Sequence, residues 1–367
     1  MFTFVPFCSR PTLLIVCVIS LGLVLSVPAL ATVTPDNYSK LETEIASGKY
    51  KKITSILIQQ RGNLVYEKYF GGATIATQHN IRSASKSFTS MLFGIALNKG
   101  AFKSVHDKVL PLFEDYQPVL YFFPAKSEMT FDHLMSMTSP LECNDSNRYS
   151  SGNEERMYLR KDWLRFVLDL PERGNAPWES KPQDQPYGRS FSYCTAGVFL
   201  VGAAIERQTD LKLSVFAQRN LFDPLDIKDA IWPESPMGIT QSGGGVSLSS
   251  QSMIKIGQVL LNDGKWRKEQ LISQDWIQSM FTPYSDTLSD PPAEYGYLWW
   301  IESYEIDGQS IRAFTASGNG GNKLIIVPQL DLTAVITSVA FNSSYMHSQV
   351  HDIIRKYILP NANLKNN

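Results

Sequence analysis

A serine and a lysine stand three residues apart, Ser83 and Lys86, within the stretch NIRSASKSFTSMLFGIAL at 80–97. The apolar residues that follow them are typical of a helix that enters a core. Residues three apart share one helix face, with Cβ atoms about 5–6 Å from each other. A lysine whose pKa is lowered by burial can accept the hydroxyl proton and make the serine a nucleophile. The free N–H groups at the helix start would favour a developing oxyanion.

Serine–lysine spacing is a weak signal by itself. Serine is also a preferred N-cap residue, so Ser83 can be interpreted as the cap of a buried helix. The sequence contains a second copy of the spacing, Ser252 with Lys255, inside another helical stretch. A catalytic interpretation therefore needs support from elsewhere in the chain.

Other catalytic and binding patterns are missing from the sequence. It has no Gly-rich phosphate loop, no His-Glu-x-x-His and no Cys-x-x-Cys, so we predict no cofactor and no metal. No Gly-x-Ser-x-Gly elbow indicates a serine–histidine triad, and a catalytic Cys194 would need a histidine that nothing singles out. The Gly-rich stretches at 242–246 and 317–322 fit tight turns or close backbone approach. Each histidine fits an ordinary surface or helix position: His79, His106, His133, His347 and His351.

The N-terminus has the pattern of a secretory signal peptide. One arginine precedes an apolar run at 13–27, and Ala29-Leu30-Ala31 offers a small-x-small cleavage site. We expect cleavage after Ala31 and export of residues 32–367 to the periplasm or the medium. An uncleaved membrane anchor is the alternative, although the run is shorter than the ~20 residues of a spanning helix.

The charge balance of the sequence indicates which kinds of partner the protein binds. The 34 basic and 35 acidic residues are balanced, which argues against nucleic acid and membrane surfaces and favours a small-molecule substrate. The oligomeric state stays open.

Cys143 and Cys194 remain after cleavage, and in an oxidising compartment they can form one disulfide. Two buried free thiols are the alternative, because sequence does not fix their Cα separation.

Strand-like segments lie near both ends of the mature chain, and helical segments lie between them. If the ends pair, they complete one sheet, and the helical middle at roughly 100–250 forms a second lobe. We predict an α/β fold of the α+β kind, an antiparallel sheet flanked by helices plus a mainly helical lobe. The active site would lie in the cleft between them.

The irregular stretch 172–190 is long enough to be a loop that covers the site. Strands are predicted at 53–60, 62–70, 310–317, 322–329 and 332–340, and helices at 87–100, 130–139, 161–171, 196–210, 249–264, 272–281 and 344–359.

Several segments resemble, in the same order, those of the serine β-lactamase and penicillin-binding-protein superfamily. The resemblance is greatest to the branch with class C β-lactamases, esterases and 6-aminohexanoate-dimer hydrolase, and it implies a β-lactamase-like fold for residues 32–367. It spans nearly the whole mature chain. The matching segments are IRSASKSFTSMLFGIALNKG, FDHLMSMTSPLEC, FSYCTAGVFLVGAAIE, GGGVSLSSQSMIKIGQVLLNDG, YGYLWW and GNGGNKLIIVPQLDL.

The resemblance also implies roles for individual residues. Ser83 would be the acyl-accepting nucleophile and Lys86 its base. Tyr193 would take the place of the family tyrosine that passes a proton to the leaving group. The oxyanion hole would be formed by the backbone N–H groups of Ser83 and Asn319.

Two departures from the family pattern bear on the substrate. The family's Tyr-x-Asn is Tyr193-Cys194-Thr195 here. Its Lys-Thr-Gly triplet is Ala316-Ser317-Gly318, which lacks the cation that helps hold a β-lactam carboxylate. Substrate contacts would come from the second and third triplet positions and from residue 195. An ester or a non-peptide amide is therefore favoured over a β-lactam.

The sequence predicts an exported serine hydrolase that acts on a carboxylic ester or non-peptide amide through Ser83. A penicillin-binding-protein-like peptidase or a β-lactamase is the alternative. A non-catalytic binding protein of the same fold is disfavoured because serine, lysine and tyrosine are all present.

Overall fold

The computed structural model describes residues 1–3, 36–175, 177, 181–289, 291–306 and 308–362. The chain divides into two units, Met1–Thr34 and Pro35–Asn367, and the helices and strands of the described residues belong to the second. Beyond its first three residues, the predicted signal peptide falls outside the described residues. Within the described ranges, no helix has the length and apolar character needed to cross a membrane.

In the second unit, most strands lie near the two ends of the chain and most helices lie between them. The strands are β1 (Ile53–Gln60), β2 (Asn63–Tyr69), β3 (Gln78–Asn80), β4 (Ser247–Ser249), β5 (Lys265–Trp266), β6 (Glu269–Gln270), β7 (Ser285–Asp286), β8 (Ala293–Tyr295), β9 (Trp300–Ile306), β10 (Gln309–Gly318), β11 (Asn322–Val327) and β12 (Leu332–Ser338). The helices are α1 (Asp36–Ala46), α2 (Ser85–Asn98), α3 (Pro124–Ser127), α4 (Phe131–Met135), α5 (Glu154–Tyr158), α6 (Trp163–Leu168), α7 (Thr195–Thr209), α8 (Leu213–Ala217), α9 (Ser250–Leu261), α10 (Gln274–Met280) and α11 (Met346–Ile353).

The largest sheet among the described residues has eight strands, in the order β2-β1-β12-β11-β10-β9-β8-β7. Its neighbours pair antiparallel throughout. The two ends of the unit meet where β1 pairs with β12, from Ile53 opposite Ser338 to Gln60 opposite Leu332. This confirms the predicted fold class, a mixed fold with an antiparallel sheet completed by both ends of the chain.

Strand β12 is buried along its whole length. Its β-branched residues suit a strand that is covered on both faces. Helix α9 packs on β1, β11 and β12. A Cβ on Gly257 of that helix would lie 3.0 Å from Leu324 of β11, so the close approach requires a residue without a side chain.

Helix α2 runs through the core and is buried from Ser85 to Ala96. A helix that is buried on all sides is a core helix rather than a surface helix. Its Gly94 leaves room for the Trp276 indole of α10, whose Nε1 donates to the Ser90 carbonyl at 2.9 Å. Packing on every side therefore fixes the start of α2, where the predicted nucleophile lies.

Candidate active site

Ser83 lies in a short 3-10 turn, Arg82–Ala84, directly before α2. Ala84 is the N-cap of α2, and no side chain caps that helix. The interpretation of Ser83 as a cap is therefore wrong. Arg82 has φ +53°, in the left-handed region that non-glycine residues rarely adopt. The turn leaves Ser83 half-buried at the edge of the core.

Lys86 is buried, and its Nζ lies 3.1 Å from Ser83 Oγ. The same nitrogen donates to the Gly243 carbonyl at 2.6 Å. Gly243 belongs to the Gly-rich stretch predicted to allow close backbone approach. A Cβ there would lie 2.7 Å from Thr195 Cγ2, so close approach is what the structure shows. The lysine is held in one position, facing the serine hydroxyl.

Tyr193 completes the predicted catalytic set, and the Lys86 Nζ lies 4.8 Å from the centre of its ring. Burial raises the pKa of Tyr193 above its ordinary value, and Lys86 and a hydrogen bond with Ser83 oppose that rise. The tyrosine also packs beside Trp300, with ring centroids 5.9 Å apart. The structure thus brings Ser83, Lys86 and Tyr193 together, with Tyr193 as a neutral phenol near pH 7.

Strand β10 ends at Gly318, directly before Asn319, the predicted second oxyanion donor. This end of the strand lies against the Ser83 turn. A Cβ on Gly318 would overlap the Ile81 carbonyl oxygen and lie 3.0 Å from the Ala84 nitrogen. Only glycine allows this approach, which brings Asn319 next to the turn. The Asn319 side chain itself is engaged elsewhere, because its Nδ2 donates to Asn342 Oδ1 at 2.6 Å.

The predicted substrate-binding residues differ in their exposure. Thr195 is fully buried in the first turn of α7, and its Oγ1 has no hydrogen-bond partner among the described residues. Ser317 is half-buried and lines a cavity of about 200 Å³ on the sheet face near α11. Ala316 belongs to the core cluster that contains α2 and α9 residues. Gly318 has no side chain, which allows the end of β10 to lie against the Ser83 turn.

Lys323 is a residue in this region that the sequence did not single out. It is paired with Ser317 across β10 and β11, it lines the same cavity, and its Nζ lies 2.9 Å from Glu302 Oε1. Burial alone would raise the pKa of Glu302, but Lys323 and His351 outweigh it and lower the pKa to about 2. Burial lowers the pKa of His351 to about 4. The cation is therefore already paired with a carboxylate.

Asp145 is a second residue that sequence reasoning missed. Its Oδ2 accepts from the Thr195 backbone nitrogen at 2.7 Å, and its own backbone nitrogen donates to the Tyr193 carbonyl at 2.9 Å. It lies two residues after Cys143, which forms a disulfide with Cys194, with Cα atoms 5.4 Å apart. The sequence offered one indication of this contact. Cys143 lies near Asp145 and Cys194 lies next to Tyr193 and Thr195, so a disulfide between the two cysteines brings these segments together.

The second serine–lysine pair does not form a comparable site. Ser252 Oγ donates to Asp229 Oδ1 at 2.6 Å, whereas Lys255 Nζ donates to the Leu225 carbonyl at 3.0 Å. The two side chains thus have separate partners. Within the described ranges, no group of three or more His, Cys, Asp or Glu residues could hold a metal ion.

The irregular stretch 172–190 is described only in part. Where it is described, Arg189 pairs with the buried Asp132 at 2.7 Å and Tyr187 donates to Glu294. Whether the stretch covers the site stays a prediction.

A family model described as Beta-lactamase matches residues 53–354. The chain is 22% identical over 327 residues to the 6-aminohexanoate-dimer hydrolase of Paenarthrobacter ureafaciens, covering 85% of this chain and 77% of that protein. It is similar in fold to EstCE1, a hydrolase with promiscuous acyltransferase activity, with a TM-score of 0.66, 14% identity and coverage of 87% and 98%. It is also similar to the octameric penicillin-binding protein homologue of Pyrococcus abyssi, with a TM-score of 0.61, 18% identity and coverage of 87% and 77%.

Proposed function

The chain belongs to the Beta-lactamase family of hydrolases, and from that premise we propose that it is a serine hydrolase that forms an acyl-enzyme on Ser83. The substrate would be a carboxylic ester or a non-peptide amide. The observation that carries the proposal is the position of the buried Lys86 Nζ, 3.1 Å from Ser83 Oγ and 4.8 Å from the Tyr193 ring centre. The nucleophile and the base are thereby within hydrogen-bond distance, and the Tyr193 phenol also has a hydrogen bond with Ser83.

Acylation would begin with attack of Ser83 Oγ on the substrate carbonyl carbon while the hydroxyl proton passes to the Lys86 amine. The tetrahedral intermediate would place its oxyanion near the Ser83 and Asn319 N–H groups. When the intermediate collapses, the bond to the leaving group breaks, and that group takes a proton from the Tyr193 hydroxyl. Lys86 then returns a proton to Tyr193, and water releases the acid by the same steps in reverse order.

The surroundings of the site support a substrate without a carboxylate anchor. Ala316 faces the core instead of supplying a cation, and Thr195 is buried. The buried ammonium that lines the neighbouring cavity, Lys323, is paired with Glu302 at 2.9 Å. Buried ion pairs are costly to separate. An ester or amide recognised by shape and by aromatic contacts, such as those of Trp300, fits this arrangement best.

Export is the second part of the proposal. A disulfide between Cys143 and Cys194 supports it, because such bonds persist in oxidising compartments. We expect protein recovered from the periplasm or the medium of an expressing bacterium to begin at Thr32. N-terminal sequencing of that protein tests this, and a sequence that begins at Met1 in a membrane fraction would favour the anchored alternative.

Intact-mass labelling with a fluorophosphonate tests the catalytic proposal. We expect one adduct on the wild-type protein, none on Ser83→Ala, and an unchanged adduct on Ser252→Ala, whose serine occupies the other copy of the spacing. No Ser83-dependent adduct, together with no hydrolysis of short p-nitrophenyl esters, would overturn it. A stable penicilloyl adduct on Ser83 after incubation with a penicillin would instead favour the peptidase or β-lactamase alternative.

A further inference from the structure

Asp145 connects the segment after α4 to the residues around Tyr193. Its two carboxylate oxygens accept from different backbone nitrogens, Oδ2 from Thr195 at 2.7 Å and Oδ1 from Glu154 at 3.0 Å. Its own backbone nitrogen donates to the Tyr193 carbonyl at 2.9 Å. A single residue thus binds Tyr193, the first turn of α7 and the first turn of α5.

Four titratable groups face this carboxylate. They are Lys86 of α2, Glu154 and Tyr158 of α5, and Tyr193. Glu154 also accepts a hydrogen bond within α5, because the Tyr158 hydroxyl donates to its Oε2 at 3.0 Å. The Asp145 charge is therefore attracted by one cation and repelled by one neighbouring carboxylate.

Opposing effects of its surroundings determine the pKa of the Asp145 carboxyl group. Burial raises its pKa to about 6, and Glu154 adds to the rise, whereas Lys86 and the hydrogen bond from the Thr195 backbone nitrogen oppose it. A carboxylate whose pKa is raised is ionised above that value and becomes neutral as the pH falls through it. Its charge can thus change within a moderately acidic pH range.

We propose that Asp145 is a positioning residue for Tyr193, and that its ionised carboxylate keeps the Tyr193 hydroxyl directed at Ser83 and Lys86. The inference rests on the proposed function, since it assigns a role relative to that catalytic set. Ionised Asp145 accepts from both backbone nitrogens and faces Lys86 when the lysine carries the serine proton. Protonated Asp145 loses one acceptor and that attraction, so Tyr193 is less firmly held.

Asp145→Asn reproduces the neutral state with almost the same shape. The amide oxygen can still accept from one backbone nitrogen, but its NH₂ group would face the other donor, and a donor cannot pair with a donor. We expect kcat for a p-nitrophenyl ester to fall about 10- to 100-fold, with KM changed by less than about threefold, because the proton donor is displaced and not the substrate. Asp145→Glu restores the charge and should recover part of kcat.

The kcat of the wild-type protein should fall as the pH drops through about 6. In Asp145→Asn that inflection should vanish, because residue 145 no longer titrates. Asp162→Asn is the matched control: Asp162 also accepts from a backbone nitrogen at a helix start, that of Arg165 at 2.9 Å. It should keep wild-type kcat and the wild-type pH profile. A purely structural role of Asp145 would lower the amount of folded protein without moving the inflection.

The outcomes separate this inference from the proposed function. If the wild-type protein shows no Ser83-dependent labelling, both are overturned. If it is labelled, but Asp145→Asn keeps wild-type kcat or retains the inflection near pH 6, only the role of Asp145 is overturned. Should Asp145→Asn fail to fold, the wild-type profile and Asp145→Glu still decide, since a flat wild-type kcat between about pH 5 and 8 contradicts the proposal.

Discussion

Gly318→Ala tests whether the close approach of β10 to the nucleophile turn is needed for catalysis. The new Cβ would overlap the Ile81 carbonyl oxygen and lie 3.0 Å from the Ala84 nitrogen. Both neighbours are backbone atoms of the turn that holds Ser83, so they cannot yield by rotating a side chain. Ordinary contacts between such atoms lie at about 3.5–4.0 Å, so the strand end must withdraw by roughly 1.5 Å.

The withdrawal carries Asn319 away from Ser83 and enlarges the predicted oxyanion hole. A misplacement of about 1 Å can cost on the order of 10²-fold in rate, and loss of one oxyanion donor costs about 10²–10³-fold in kcat. We therefore expect kcat to fall about 10²-fold, with little change in KM. Overpacking should also reduce the free energy of unfolding by about 1–3 kcal/mol.

The assay is steady-state hydrolysis of a p-nitrophenyl ester, together with the rate of fluorophosphonate labelling and a thermal unfolding curve. Gly257→Ala is the control, because its Cβ would lie 3.0 Å from Leu324 and would overpack the core beside α9. It should reduce stability as well, but the folded protein should keep wild-type kcat. A folded Gly318→Ala protein with kcat within about twofold of wild type would refute the reasoning, since a displacement of this size should cost far more.

Three further changes probe the base, the disulfide and the buried ion pair. Lys86→Ala should lower kcat about 10²–10⁴-fold, because general base catalysis is lost, and ester hydrolysis measures this. Replacing Cys143 and Cys194 by serine opens a loop with a sequence separation of 51. We expect a loss of about 4 kcal/mol in the free energy of unfolding, measured in urea. Glu302→Gln leaves Lys323 buried without a counter-ion, which should cost about 3–5 kcal/mol at pH 7. Wild-type stability should decline as the pH falls from 4.5 towards 2, because the lowered pKa of Glu302 holds its charge in the folded state.

Each of these changes has a control or a contradicting result. Lys255→Ala should leave kcat unchanged, since Lys255 Nζ binds the Leu225 carbonyl. The cysteine prediction is contradicted if reductant does not alter the urea midpoint of the wild-type protein. The Glu302 prediction is contradicted if Glu302→Gln loses as much stability between pH 4.5 and pH 2 as the wild-type protein, within the range set by the lowered pKa.

Sequence patterns predicted the parts of the fold that local chemistry determines. Strand β1 occupies the predicted residues 53–60, because a β-branched run ends at the turn Arg61-Gly62-Asn63. Helix α7 begins one residue before its predicted start and ends at Thr209. Strands such as β7, with only two residues, carry too little periodicity to be recognised, and they form because the neighbouring strand offers backbone partners.

The parts of the candidate site that sequence did not predict depend on contacts between distant segments. Asp145 follows Cys143 in an irregular segment, and its position next to Tyr193 depends on the disulfide and on the start of α7. Lys323 lies in a predicted strand, but its pairing with Glu302 requires the register of β9 against β10 and of β10 against β11. No local pattern contains that information.

The two copies of the serine–lysine spacing show what turns a spacing into a candidate catalytic pair. Ser252 and Lys255 lie within the regular helix α9, where Ser252 is occupied by Asp229 and Lys255 reaches away to a carbonyl. Ser83 instead precedes its helix, in a turn that the left-handed Arg82 makes possible, while Lys86 is already inside α2. The junction points the serine hydroxyl at the lysine amine, and Gly243 and Gly318 close the backbone around both. The close approach of serine and lysine at this spacing therefore depends on the backbone irregularity before the helix, and not on the shared helix face.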